Sequence, residues 1–192
     1  ARPEDIEMVR GRFDEGWDTL RERRLLRLKS EGVLPDDTRL SGRDPSQPAW
    51  ADAADPDWQV RRMEVYAAQV VALDRAVGTV IETLRRRGEL DDTLVIFLSD
   101  NGASGEEIPL GDLALFLEKD DSMRNGTRDG RRISVGNEPS ILPGAEDSYA
   151  SYGVPWANLS NTPLRRYKRW VHEGGISTPL IVSWPSGGLA EG

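Results

Sequence analysis

The stretch from Trp58 to Leu98 constrains the fold more than any other. Met63, Ala67, Val70, Val71, Val77, Ile81 and Leu84 recur at three- and four-residue steps, the signature of one apolar helix face. Arg85, Arg86 and Arg87 close that stretch, where cations suit the negative end of the helix dipole, and Gly88 follows as a stop. A short turn leads into Thr93-Leu94-Val95-Ile96-Phe97-Leu98, a continuous apolar run. Such a run predicts a strand buried on both faces, as in a sheet covered by helices. A long helix, a short turn and a buried strand make half of an α/β unit, so an α/β fold is expected.

The flanking segments fit that class. Residues 4–31 interleave charged residues with Ile6, Val9, Phe13, Trp17, Leu20, Leu25 and Leu28 at helical spacing. Gly11 and Gly16 divide this stretch into two helical pieces, and Gly32 stops the second. Pro35, Pro45, Pro48 and Pro56 mark a long surface connection, with Trp50 and Trp58 as its expected anchors. Residues 103–160 are the least regular, with one short helix expected around Leu113–Leu117. Long irregular loops in a compact domain usually serve a function. A second apolar strand, Leu180–Trp184, ends at Pro185.

Composition excludes several function classes. The 192 residues carry 25 basic and 33 acidic side chains, a net charge of -8. That balance disfavours non-specific nucleic-acid binding, which needs phosphate neutralisation, so no nucleic-acid partner is expected. A local cationic site for a small anion is still compatible with it. The absence of cysteine rules out thiolate metal sites, disulfides and Cys nucleophiles within these residues. No run approaches the roughly 20 apolar residues that span a bilayer, so no membrane partner is expected. The first residues lack the basic and apolar regions of a secretory signal. A soluble chain of either the cytoplasm or the periplasm is the expectation.

Chemistry concentrates at two places. Asp100 and Asn101 follow the first apolar strand directly, and α/β sheets bind ligands at the carboxyl ends of their strands. A carboxylate and an amide carbonyl there suit a hard cation such as Ca²⁺ or Mg²⁺. Ser99-Asp100-Asn101-Gly102 also reads as ordinary turn punctuation. Lys168, shortly before Gly174-Gly175, can serve as a point charge on a phosphate or sulfate oxygen. With Arg165, Arg166 and Arg169 beside it, the same stretch reads more simply as a solvated helix face. His172 is the only histidine, which argues against zinc, and Glu173 beside it could orient it. The doublets Glu106-Glu107 and Asp120-Asp121 read as loop solvation. No Walker-type phosphate loop, nucleophile elbow or paired zinc ligands occur.

Taken in order, several segments resemble the sulfatase family, the arylsulfatase branch of the alkaline-phosphatase-like superfamily. They are Gly16-Trp17-Asp18 with Arg21 and Arg24, and Met63 to Ala68 leading to Asp74. Gly88 to Thr93 and Phe97 to Gly102 follow, then Tyr167-Lys168, His172 to Ile176 and Thr178-Pro179. The set covers almost the whole chain and is most similar to large bacterial arylsulfatases.

The resemblance implies an alkaline-phosphatase-like sandwich, a mixed sheet flanked by helices, incomplete in this chain. Residues 1–192 are then one piece of the catalytic domain. It also implies that Asp100 and Asn101 are ligands of the active-site divalent cation, usually Ca²⁺ with Mg²⁺ possible. Lys168 matches the lysine that contacts the sulfate group, a substrate-binding and catalytic role. His172 matches no catalytic residue and is expected only to support the site from behind. The family nucleophile is a formylglycine made in a Cys/Ser-x-Pro-x-Arg motif, which these residues lack. That motif, two further aspartate ligands and other substrate contacts would lie before Ala1, and the smaller C-terminal domain would come after the last strand. The expected function is hydrolysis of a small sulfate ester by a longer parent, the isolated chain being inactive. The alternatives are a phosphate or phosphonate ester hydrolase of the same fold, or a truncated module without catalysis.

Overall fold

The computed structural model describes residues 1–108 and 126–189. Helices α1 (Pro3–Val9), α2 (Gly16–Ser30) and α3 (Pro56–Arg87) come first, with a 3-10 turn at Trp50–Asp52 and another near the end at Pro185–Gly187. Strand β1 (Val95–Leu98) follows, then β2 (Ser134–Val135), β3 (Ser148–Tyr149), helices α4 (Gly153–Ser160) and α5 (Glu173–Ile176), and β4 (Leu180–Ser183). The chain is α/β. The helix expected near Leu113–Leu117 lies outside the described residues, as does Asp120-Asp121. Among the described residues no helix is long and apolar enough to cross a membrane.

The expected helix ends appear where the chain takes left-handed backbone. Gly88 (φ 71°) lets its own N–H reach Arg85 O and the Glu89 N–H reach Leu84 O, both at 3.0 Å. This closes the last turn of α3 on its otherwise unpaired carbonyls. Helix α3 begins at Pro56, whose fixed φ suits a first helical position.

The core gathers around the tryptophans. Trp156, Trp17, Met63, Tyr152, Ala157, Leu159 and Tyr167 form its main cluster. The Trp17 ring meets Trp156 edge-on at 5.3 Å and Trp50 at 4.7 Å. Trp50 thereby anchors the proline-rich connection, as expected. Trp58 is buried and its Nε1 donates to Ile141 O at 3.0 Å. Gly16 is obligatory here. A Cβ at that position would sit 2.0 Å from the Trp50 ring, and its φ is 74°. A smaller cluster of Ile6, Val9, Val65 and Ala68 joins α1 to α3, with the buried Asp5 paired to Arg75.

The apolar stripe of α3 is only partly used. Met63 is buried, Val70 is exposed and Ala67, Val71, Val77, Ile81 and Leu84 are half-buried, because α1 covers only the first half of the helix. The strands depart further from expectation. Among the described residues β1 pairs only with β4, antiparallel, with Ile96 opposite Val182 and Phe97 opposite Ile181. Instead of being buried on both faces, Ile96, Phe97, Leu98, Leu180, Ile181 and Val182 are all at least 42% exposed. Successive strand residues point to opposite faces, so both faces of the ribbon are bare. A continuous apolar run reports a strand suited to burial, whereas burial itself needs a layer on each face. No described helix supplies one. β2 and β3 form a separate parallel pair.

Those bare faces carry a prediction. The isolated 192-residue chain is expected to self-associate through the β1–β4 ribbon, since exposed apolar edges template further pairing. Size-exclusion chromatography with light scattering checks this, and a monomeric, cooperatively melting sample would contradict it.

Candidate functional site

Asp100 and Asn101 leave the end of β1 on a loop that runs to Glu107. The Asn101 Nδ2 donates to Gly102 O at 2.8 Å, which leaves Oδ1 as the side chain's acceptor. The Asp100 carboxylate is exposed and forms no hydrogen bond or ion pair among the described residues. A carboxylate and an amide oxygen, neither hydrogen-bonded among the described residues, make a donor set that suits a hard cation. It covers only part of a shell of about six to eight oxygens. Among the described residues no group of three or more His, Cys, Asp or Glu is placed to hold a metal ion. The pair therefore fits a divalent cation as a partial ligand set.

Lys168 sits on a second loop, fastened directly to the first. Its N–H donates to Ala103 O at 2.9 Å, and the Gly102 N–H donates to Gly175 O at 3.0 Å. Asn161, just after α4, staples both loops. Its Oδ1 accepts from Ala103 N at 3.0 Å, and its Nδ2 donates to Arg166 O at 3.0 Å and Gly174 O at 2.6 Å. The backbones approach so closely that a Cβ on Gly102 would lie 1.7 Å from Gly174 O. Glycine is needed there for contact. The structure thus brings the loops of Asp100, Asn101 and Lys168 together. The Lys168 ammonium lies 3.8 Å from Glu106 Oε2, and Arg169 approaches the same carboxylate at 3.9 Å.

The stretch around Lys168 is no solvated helix face. Arg166 and Arg169 are left-handed, with φ of 68° and 81°. The Arg166 guanidinium lies 4.3 Å from the Trp170 ring centre and bonds to Asp44 Oδ2 at 2.6 Å. Tyr167 OH donates to the same oxygen at 2.8 Å. Asp44 Oδ1 accepts from the Ser46 N–H at 3.0 Å and the Ser46 hydroxyl at 2.8 Å. Burial pushes the Asp44 carboxyl up, but these hydrogen bonds and the Arg166 charge outweigh it and hold it below the usual carboxylate range. A depressed carboxyl stabilises the fold above its unfolded value of about 3.9, and that stability is lost as pH falls through the lower folded value. Burial, then Asp44, raises the Tyr167 phenol.

His172 is half-buried at the start of α5. Its ring meets Trp170 edge-on at 6.0 Å, and Nδ1 is buried without a partner among the described residues. It touches neither Asp100 nor Lys168 through any hydrogen bond. Glu107 corrects the solvation reading. It accepts from Arg62 Nη2 at 2.8 Å and from Val154 N at 3.3 Å, and it also bonds Asn137. Adjacent Glu106 faces the cations of the Lys168 loop instead.

Asp44 and Asn161 were not anticipated from sequence. Asp44-Pro45 and Asn161-Thr162-Pro163 read locally as turns, and only their long-range partners distinguish them.

The Sulfatase family matches residues 3–191, nearly the whole chain. This chain belongs to the sulfatase family. It is 36% identical over 189 residues to an uncharacterized sulfatase of Schizosaccharomyces pombe, covering 95% of this chain and 31% of that protein. An arylsulfatase of Klebsiella aerogenes is 32% identical over 195 residues, covering 96% of this chain and 37% of its own length. A choline-sulfatase of Rhizobium meliloti is 31% identical over 127 residues, 66% of this chain and 21% of the relative. The sulfatase chain thus spans about a third of the length of the first two relatives. The α/β architecture of this sulfatase chain agrees with the fold expected from its motifs.

Proposed function

We propose that this chain supplies part of the active site of a sulfuric ester hydrolase of arylsulfatase type, acting on small sulfate esters. The observation that carries the reading is the backbone bridge from Lys168 to Ala103. It holds an ammonium on the loop adjoining the one that presents the Asp100 carboxylate and the Asn101 carbonyl.

Asp100 and Asn101 would hold a divalent cation, Ca²⁺ by family resemblance or Mg²⁺, together with oxygens from outside these residues. When bound, that cation withdraws charge from a sulfate oxygen. Lys168 would face the ester oxygens and offset the negative charge that grows there as the bond breaks. A donor fixed in advance does this without reorganisation, which is where electrostatic catalysis gains its effect. Glu106 would hold the ammonium while no anion is present and yield it to a sulfate group. The nucleophile, a formylglycine by family resemblance, would come from residues outside this chain. The isolated chain would accordingly turn over no substrate and bind Ca²⁺ weakly, since part of the ligand shell is missing.

Lys168→Ala in the full-length protein tests the reading. We expect kcat/KM for an aryl sulfate to fall by about 100- to 1000-fold. Lys168→Arg should restore little, because a planar fork replaces a compact point charge. Unchanged kcat/KM in Lys168→Ala would overturn the assignment. Preference of the wild-type enzyme for phosphate diesters over aryl sulfates would move it to the phosphate-ester reading.

A further inference from the structure

We infer that Asp44 is the positioning residue for Lys168, gathering Arg166 and Tyr167 onto one buried carboxylate so that the left-handed loop carrying the lysine keeps its shape. The inference rests on the role proposed for Lys168. Non-glycine residues stay left-handed only where their surroundings over-determine them. Two such residues, Arg166 and Arg169, flank the lysine. Asn161 holds the backbone of this loop, and Asp44 holds its side chains.

The carboxylate is itself rigidly placed. Its Asp44 backbone O accepts from Gln47 N at 3.0 Å, closing a turn on the Ser46 side. Three residues earlier, the Ser41 N–H donates to Pro163 O at 3.0 Å and its hydroxyl donates to Leu164 O at 2.9 Å. Buried Arg21 on α2 holds Ser41 O at 2.9 Å. A line of direct bonds therefore runs from α2 through the proline-rich connection to the residues preceding Lys168. Tyr167 adds a contact on the other side, because a Cβ on Gly105 would meet its ring at 2.7 Å. One phenol thus touches both the Asp44 carboxylate and the loop that begins with Asp100.

The chemistry demands a carboxylate rather than an amide. Among the described residues, Oδ1 accepts only from the Ser46 donors and Oδ2 only from Arg166 and Tyr167. An amide at this position would turn its NH₂ against donors in either orientation. Asp44→Asn therefore keeps the volume but removes the charge that pairs with Arg166 and sets an NH₂ against a donor on one side, which loosens the grip.

The test uses the full-length protein, with inorganic sulfate as the anion probe and an aryl sulfate as substrate. Asp44→Asn is expected to lower kcat/KM by about 10- to 100-fold, the scale of a small misplacement of a catalytic group. Inorganic sulfate should bind more weakly, while Ca²⁺ affinity stays that of the wild type. Because Asp44 acts through Lys168, adding Asp44→Asn to Lys168→Ala should weaken sulfate binding no further. An equal loss in both backgrounds, or a parallel loss of Ca²⁺ affinity, would overturn the inference. If Asp44→Asn does not yield folded protein, Tyr167→Phe asks the same question while its ring stays packed. Its smaller loss must likewise vanish in the Lys168→Ala background, and a loss that persists there overturns the inference. If Lys168→Ala alone leaves sulfate binding and turnover intact, the lysine assignment itself fails, a result distinct from additivity.

Discussion

Asp100→Ala in the full-length protein is expected to remove the divalent cation and nearly all turnover. Of the two donors at the end of β1, only Asp100 carries charge. Asn101 offers one neutral carbonyl, its amide nitrogen being engaged with Gly102 O. A hard cation depends on ionised oxygen to offset the loss of its hydration. Changes to groups that merely support a metal ligand already weaken affinity by about 10- to 100-fold, so loss of the ligand itself should reach or exceed that upper figure. Loss of several kcal/mol of charge stabilisation would slow the reaction on the order of 10³-fold. Asp100 is exposed, so truncating it opens no cavity, and the effect should appear without a collapse of the fold. Metal analysis of the purified variant, beside steady-state kinetics, checks both halves. Full metal content in Asp100→Ala would remove the ligand assignment.

Trp156→Ala should be the most damaging change to the fold itself. Trp156 is fully buried and is the meeting point of the core. Its ring contacts Trp17 at 5.3 Å, Trp50 at 5.9 Å and Phe13 at 6.0 Å. Its Nε1 donates to Gln59 O at 2.9 Å, which ties α4 to α3. Truncation leaves a large void and removes the bond to Gln59 O together. Core Trp→Ala changes destabilise by about 3–5 kcal/mol, a large part of the roughly 5–15 kcal/mol that separates folded from unfolded chains. The expected readout is a lower denaturant midpoint with an unchanged slope, or loss of soluble protein. Trp156→Phe, which keeps most of the apolar volume, should lose much less. A Trp156→Ala midpoint equal to that of the wild type would show that the tryptophan cluster is not the core that holds these helices. Tyr167 belongs to the same cluster, so the loop carrying Lys168 is mounted directly on it.

Much of this architecture is legible along the chain. The helical periods of α1 to α3, the breaks at Gly11 and Gly16 and the stops at Gly32 and Gly88 all follow from local rules. Helix α4 was not legible, because Gly153–Ser160 contains Pro155 and is buried almost all round, which erases the apolar stripe. The bare faces of β1 and β4 were not legible either. Their composition records the burial they are suited to, while the described residues provide no covering layer.

The candidate site divides in the same way. Residue type and order offered Asp100 and Asn101 as oxygen donors and Lys168 as a cation, because charge and donor chemistry belong to each short segment, and the resemblance to sulfatases made them the expected ligands and sulfate contact. Only the folded chain decided that Asp44 meets Arg166 across 122 residues of sequence, and that Asn161 joins Ala103 across 58. A buried carboxylate or amide has no local signature of its partner. Its hydrogen bonds exist only once distant backbone has been brought within about 3 Å, and the alternative of leaving such a group unpaired in the interior is what makes the arrangement specific.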